Sequence, residues 1–427
     1  MVQIMKLSDC ATIIAGQSPK SEYYNTDGNG LPFFQGKADF GELYPKIRVY
    51  CTKPTKIAEQ DDILLSVRAP VGPTNLAPTK VCIGRGLFAI RPNEKLKLEY
   101  LLCFFRYYEA QLSSKGTGTT FKAINQQIIK DLNIPVPSLE EQQQVVSRIE
   151  ELFSELDKGV DTLKTIKQQL AVYRQTVLKE AFEGKFTSEW RVKHTSSNPN
   201  SDFNSIKRPN ENFKDTSGDE NEISLLLPST WIKARLGEVF EVQVGATPSR
   251  RVPEYWNGDI NWVSSGEVHF NSIYKTNEKI TLDGLDHAST NVHPAGTVML
   301  AMIGEGKTRG QAAILNTEAA HNQNTAAILV SDTPCSSKFI FYFLQMNYDH
   351  TRRVGSGNNQ KALNKERVRA LRFPFTSFSE QRQIVAEIES RLSVCDSIEQ
   401  TVDTALAQAE AMRQSILKKA FEGGFSE

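Results

Sequence analysis

Residues 115–186 recur at 354–425, a constant 239 positions later and without a gap. Lys122-Ala123-Ile124-Asn125 returns as Lys361-Ala362-Leu363-Asn364, and Glu141-Gln142-Gln143-Gln144-Val145-Val146 as Glu380-Gln381-Arg382-Gln383-Ile384-Val385. Ala181-Phe182-Glu183-Gly184 returns as Ala420-Phe421-Glu422-Gly423. A repeat of this length means two copies of one structural unit in one chain. Two such units make a pseudo-two-fold object, which suits a pseudo-symmetric partner such as duplex DNA with two half-sites.

The repeat ends in a long helix in each copy. Over 141–183 apolar residues fall at Val146, Ile149, Phe153, Leu156, Val160, Leu163, Leu170 and Val177, spaced by three and four. That spacing is a coiled-coil seam. Gly184 closes it in the manner of a C-terminal helix glycine. Such a helix is roughly 60 Å long, too long to fold back into a small domain, and so acts as a strut. The second helix, over 380–422, carries Val385, Ile388, Leu392, Cys395, Ile398, Val402, Leu406, Ala409, Met412 and Ile416.

Before each helix lies a globular region, 1–140 and 231–379. Short β-type runs such as 62–67, 86–90, 296–302 and 326–330 alternate there with Gly, Pro and Asn turns. The expected class is α/β in the mixed α+β sense, two similar domains joined by an antiparallel helix pair. The expected partition is 1–140, helix 141–186, polar linker 187–230, 231–379 and helix 380–427. The linker reading rests on polar, Pro/Gly-broken runs at 194–201 and 215–220. The two regions also share Leu7, Gly16 and Pro19 with Leu236, Gly245 and Pro248 at an offset of 229, then diverge. Shared frames with unlike middles suit the recognition of two different things.

The six cysteines are scattered without a close pair, which fits reduced thiols better than a disulfide framework or a zinc site. No apolar run approaches the roughly 20 residues that span a bilayer. The first ten residues lack the apolar core of a signal peptide, so a cytoplasmic, membrane-free protein is expected. Net charge is zero, so phosphate affinity must come from local patches.

Catalytic motifs fail on inspection. Gly304-Glu305-Gly306-Lys307-Thr308 has Ala301 where a nucleotide-binding loop needs glycine, and no helix pattern follows it. Asn133-Ile134-Pro135-Val136-Pro137 is the nearest approach to an amino-methyltransferase motif and lacks its Pro-Pro-aromatic core. The six histidines show no ligand spacing. No catalytic residue, metal site or bound cofactor is expected.

DNA contacts need Lys, Arg and forked amides. The candidates in the first region are Arg68, Lys80, Arg85, Lys115, Thr117 and Lys122. In the second they are Arg250, Arg251, Lys307, Arg309, Arg352, Arg353, Asn358 and Lys361. Glycine-spaced loops, with Gly116 and Gly118 in register with Gly355 and Gly357, let backbone amides approach a phosphate; equally they are plain turns.

Pro135-Val136-Pro137-Ser138-Leu139-Glu140-Glu141-Gln142 leads into the first helix, and Ala181-Phe182-Glu183-Gly184-Lys185-Phe186-Thr187-Ser188-Glu189-Trp190-Arg191 leaves it. Leu227-Pro228 and Trp231 open the second region. With the repeat, these resemble the specificity subunit of a type I restriction–modification system, over nearly the whole chain. The second copy departs in Pro374-Phe375-Thr376 and Phe378-Ser379-Glu380-Gln381. The resemblance implies a non-catalytic subunit whose two target recognition domains each read half of a bipartite DNA site. It implies that the helices set the spacing and bind two methyltransferase subunits, alongside restriction/translocase subunits. S-adenosylmethionine, ATP and Mg would then sit on the partners. The alternatives are a coiled-coil scaffold with two protein-binding domains, and a self-sufficient methyltransferase or nuclease, which the missing motifs disfavour.

Overall fold

The computed structural model describes residues 2–116, 123–195, 197–206, 225–304, 306–353 and 362–423. It divides into two units, Met1–Ile166 with Thr401–Glu427, and Lys167–Gln400. Each unit is mixed α+β and contains a stretch of both long helices, Leu139–Phe182 and Phe378–Lys418.

In the first unit, Ile63–Ser66 is central to a four-stranded sheet, flanked by Leu87–Pro92 and Thr74–Leu76, with Ala11–Ala15 outermost. The runs expected at 62–67 and 86–90 are these strands, both with near-continuous burial. Alternation divides their side chains between two cores. Ile63, Leu65, Phe88 and Ile90 pack with Leu101, Phe104 and Phe105 of the helix Leu98–Ser114. Leu64, Leu87 and Ala89 pack with Phe34, Val81 and Ile83 of a second sheet. A two-stranded ribbon, Gln3–Lys6 with Asn133–Val136, leads into the first long helix.

The second unit repeats this plan. Val298–Ala301 lies between Thr325–Ile328 and Ala312–Leu315. Val298 and Leu300 face the helix Ser337–Met346 through Phe339, Ile340 and Phe343. Met299 and Ala301 face a separate cluster with Val263 and Leu315. The ribbon is Ile232–Arg235 with Arg372–Phe375.

Local signals fix the helix ends. Ser138 and Glu141 form a reciprocal cap on the first long helix, with backbone and hydroxyl donors 2.8 Å from the Glu141 carboxylate. At the far end Gly184 has φ 69°, and Gly184 and Lys185 donate back to the Ala181 and Glu180 carbonyls. A side chain there would strike Pro228 and Trp231.

The helices run antiparallel within each unit. In the first, Ile149 and Phe153 pack with Ile416, Leu417 and Ala420, and Asp157 accepts from Arg413. In the second, Leu178 and Phe182 share a core with Ile384, Val385 and Ile388. Val146, Ile149, Leu170, Val177, Val385, Ile388, Cys395 and Val402 are buried, and Phe153, Leu156, Val160, Leu163 and Leu392 half-buried, as the seam requires.

Ile398 departs from that seam. It is 41% exposed, because Arg174 sits opposite and takes Glu399 as its acceptor. Helix rotation that presents Glu399 turns Ile398 outward. Met412 is likewise exposed.

The expected linker over 187–230 is corrected in its described part. Ser188–Lys193 and Pro199–Ser205 are helices. Asn198 caps the second of them, ahead of Pro199 in the first turn. Phe203 and Ile206 join the core of the second unit. Few apolar residues suffice because Thr187 and Arg191 anchor the segment through polar bonds. Residues 207–224 lie outside the described residues.

Candidate nucleic-acid interface

In each unit a hairpin loop, the last turns of a helix and a residue that follows the glycine-spaced run in sequence, Ile124 or Leu363, meet at one edge. In the first unit the loop joins Ile63–Ser66 to Thr74–Leu76 and carries Arg68, which is exposed. Gly72, at φ 114°, lies so close to Glu109 of the helix that a Cβ would stand 2.7 Å from its side chain. Ile124, following the glycine-spaced segment, donates to the Val67 carbonyl at 3.1 Å.

The second unit repeats this arrangement. The loop between Val298–Ala301 and Ala312–Leu315 carries Lys307 and Arg309. Gly310, at φ 85°, lies so close to Arg352 and Tyr348 that a Cβ would stand 3.3 and 3.4 Å from their side chains. Tyr348 is the repeat equivalent of Glu109. Leu363, equivalent to Ile124, donates to the Met302 carbonyl at 3.0 Å. The same three pieces therefore converge twice, although loop sequences and lengths differ. Burial raises the Glu109 carboxyl above its usual range; the second unit has a phenol in its place.

The candidate cations fall into distinct classes. Arg68, Arg85, Arg251, Lys307 and Arg353 are exposed. Arg85 stands on the turn between Val81–Ile83 and Leu87–Pro92. Lys115 closes the helix Leu98–Ser114 and donates to the Tyr108 hydroxyl at 3.0 Å. Lys80 pairs with Glu59 at 3.1 Å. Arg250 is held by Glu278 and lies 3.6 Å over the Trp256 ring. That ion pair lowers the Glu278 carboxyl and fixes the guanidinium as part of the scaffold.

Arg309 is not a surface group. It is 8% exposed, and its Nη2 donates to the Arg352 carbonyl at 3.1 Å. Arg352 returns a bond to the Arg309 carbonyl at 3.3 Å and another to the Tyr348 hydroxyl at 2.9 Å. Tyr348 donates to the Lys307 carbonyl. This node locks the loop to the helix Tyr348–Arg353 and presents Lys307 and Arg353 outward. Tyr348 was not among the sequence candidates; its signal was the four-residue spacing to Arg352. Thr117, Lys122, Asn358 and Lys361 lie outside the described residues.

Gly304, Gly306, Lys307 and Thr308 stand in this hairpin loop, which is followed by a strand rather than a helix. All six cysteines are free and buried, and burial pushes Cys103 and Cys335 up to about 11. Among the described residues no cluster of three His, Cys, Asp or Glu could hold a metal, and no helix is long and apolar enough to cross a membrane. Sequence spacing did not reveal one histidine pair. His293 and His321 are buried in the second unit with Nε2 atoms 3.1 Å apart. His321 Nδ1 lies 2.8 Å from the Thr325 hydroxyl. Burial lowers both, His321 to about 3.

Comparison with known proteins matches the type I restriction modification DNA specificity domain twice, over residues 1–171 and 228–408. A putative type I restriction enzyme MjaX specificity subunit from Methanocaldococcus jannaschii is 41% identical over 182 residues, 42% of this chain and 41% of that protein. The EcoBI specificity subunit of Escherichia coli is 25% identical over 74% of this chain. The matched stretches thus span under two thirds of both these relatives, 41% and 63% of their lengths. The fold is that of a chain solved in work on complex assembly and conformational transition of the type I R-M system, with TM-score 0.70, 17% identity and coverage of 99% and 98% of the two chains. It also matches the HsdS subunit of Thermoanaerobacter tengcongensis, with TM-score 0.53, 18% identity and coverage of 99% and 97%. The chain belongs to the type I restriction modification DNA specificity family.

Proposed function

We propose that this chain is the non-catalytic specificity subunit of a type I restriction–modification complex and that its two units read the two halves of a bipartite duplex site. The observation that carries this reading is the doubled edge. Each unit joins a hairpin loop to the chain just before the helix at its repeat-equivalent position through equivalent bonds, Ile124 to Val67 and Leu363 to Met302, with a helix end packed against the same loop. Exposed Arg68 in one unit and Lys307 with Arg353 in the other supply cations for phosphate contact. Unlike loops on one repeated frame suit unlike half-sites.

The long helices would set the distance between half-sites, since half-sites one duplex turn apart need about 34–36 Å. They would also seat two methyltransferase subunits. Val172, Tyr173, Val394 and Ile398 are exposed apolar residues on the helix stretches of the second unit, suited to such a partner. S-adenosylmethionine, ATP and Mg would act on the methyltransferase and translocase partners, in the cytoplasm. Methylome sequencing of cells with and without this gene tests the reading. Loss of one bipartite adenine motif supports it; an unchanged methylome contradicts it.

A further inference from the structure

One turn in each unit holds a forked side chain at the same place. In the first unit Gly84-Arg85-Gly86 joins Val81–Ile83 to Leu87–Pro92. The Gly84 amide donates to the Phe34 carbonyl at 2.8 Å, and the Gly86 carbonyl accepts from the Val67 amide at 2.9 Å. In the second unit Asn322-Gln323-Asn324 joins Ala320–His321 to Thr325–Ile328. The Asn322 amide donates to the Val263 carbonyl at 3.0 Å, and the Asn324 carbonyl accepts from the Met302 amide at 2.8 Å. Phe34 and Val263 are equivalent through their parallel pairing with Ile83 and His321. Val67 and Met302 are the same two residues whose carbonyls accept from Ile124 and Leu363. Arg85 and Gln323 therefore occupy one point of the repeated frame, beside the hairpin loop.

A hydroxyl supports each turn. Ser18 and Thr247 keep the 229-residue offset that relates Gly16 and Pro19 to Gly245 and Pro248. Ser18 Oγ accepts from the Arg85 amide at 3.3 Å, and Thr247 Oγ1 donates to Gln323 Oε1 at 2.5 Å. The neighbours on each turn are held inward. A Cβ at Gly86 would stand 2.1 Å from the Gln35 carbonyl oxygen. Asn322 is buried, and its Oδ1 accepts from the Asn324 amide at 3.0 Å. Arg85 and Gln323 are both exposed.

We propose that Arg85 and Gln323 are the equivalent base-reading residues of the two units, Arg85 taking a guanine and Gln323 an adenine in the major groove. The inference rests on the DNA reading proposed above and names where that reading occurs. A guanidinium offers two parallel donors, which match guanine O6 and N7. A carboxamide offers one donor and one acceptor, which match adenine N7 and its amine. Thr247 occupies one of the two lone pairs on Gln323 Oε1 and leaves the second for the adenine amine. By holding that oxygen it sets which way the carboxamide faces, so Thr247 is a positioning residue. Arg68 and Lys307, on the adjoining hairpin loops, would hold phosphates while the turns read bases. An arginine in one copy and a glutamine in the other make one frame read two unlike half-sites.

The full chain, assembled with its methyltransferase partner, is used to select duplexes from a library randomised across the parent's methylated motif. Arg85→Gln should cut discrimination at one G·C pair by at least about 10-fold. Gln323→Arg should do the same at one A·T pair in the opposite half. Thr247→Val should lower the preference at that same A·T pair and at no other. Every other position and the gap should keep the parent's preferences, which also shows that each variant is folded. Base preferences unmoved by both Arg85→Gln and Gln323→Arg overturn the proposal. So does a uniform loss of affinity across all sequences, which marks phosphate contacts, and so do changes that fall in the same half. A parent complex that selects no bipartite motif would instead remove the DNA reading itself, and the inference with it.

Discussion

Arg174 of the first long helix donates to Glu399 of the second at 2.8 Å and to Asp396 at 2.7 Å. The pair occupies a level of the seam where heptad spacing calls for apolar residues, and its rotation of the helix exposes Ile398. An ion pair at such a level fixes register more than it stabilises.

Breaking that pair on one side should therefore cost little. Arg174 is partly exposed and Asp396 largely so, so a double-mutant cycle of Arg174→Ala with Glu399→Gln should give a coupling of about 0.5–1 kcal/mol. The double variant Arg174→Leu with Glu399→Leu should be at least as stable as the parent, because it restores an apolar seam. Denaturant titrations measure both.

The histidine pair makes the second unit sensitive to acid. His321 titrates at about 3 when folded and His293 also below its ordinary value, both through burial. Glu241 and Asp332 act weakly in the other direction on His293. An unfolded histidine binds its proton near pH 6.5. Below that pH the unfolded state binds more protons, so stability is full above about 6.5 and falls as the pH drops toward 3. After correction for the intrinsic exchange rate, the protection free energy of the amides in Thr325–Ile328 should fall across that window, with a slope of up to about 1.4 kcal/mol per pH unit for one histidine. His321→Gln should flatten the slope. A flat profile in the parent would contradict the buried neutral pair.

Exposed and buried cations of the second unit should separate experimentally. Lys307→Ala and Arg353→Ala should leave the melting temperature unchanged and each reduce the salt dependence of DNA binding by about 1 in log–log slope. Arg309→Met should instead destabilise the unit by about 1–3 kcal/mol, since the Arg352 carbonyl loses its donor in a buried setting. Binding isotherms at several salt concentrations, paired with thermal melts, give the comparison.

Spacer length should follow helix length. Four residues inserted after Val160, with a matching insertion opposite at Ala409, add about 6 Å to the pair. The non-specific gap in the methylated motif should lengthen by about two base pairs. An unchanged gap in the methylation map would remove the helices from that role.

Much of this architecture was legible in the sequence because it is periodic or repeated. The 239-residue repeat located both long helices, and the spacing from Val146 to Val177 identified their contact face. Gly184 marked a helix end that its positive φ explains. Pattern failed where one polar contact outweighed periodicity. Ile398 reads as a seam residue until Arg174 is placed opposite Glu399. Residues 187–206 read as linker until Arg191 and Thr187 find Glu380, a contact across 189 and 193 positions. For the interface, residue type alone could not divide the arginines. Arg250 and Arg309 carry the same charge as Arg251 and Arg353, yet a glutamate with two tryptophans holds the first and a carbonyl buries the second. The histidine pair was hidden because its members stand 28 positions apart, His321 on a strand and His293 at an isolated bridge.

The central claim is that each unit reads its own half of the DNA site. The most direct test exchanges residues 231–377 for the corresponding region of a relative with a different target and maps methylated adenines across the genome. One half of the bipartite motif should change while the other half and the gap between them stay as they were. A motif that changes in both halves, or in neither, would contradict the assignment.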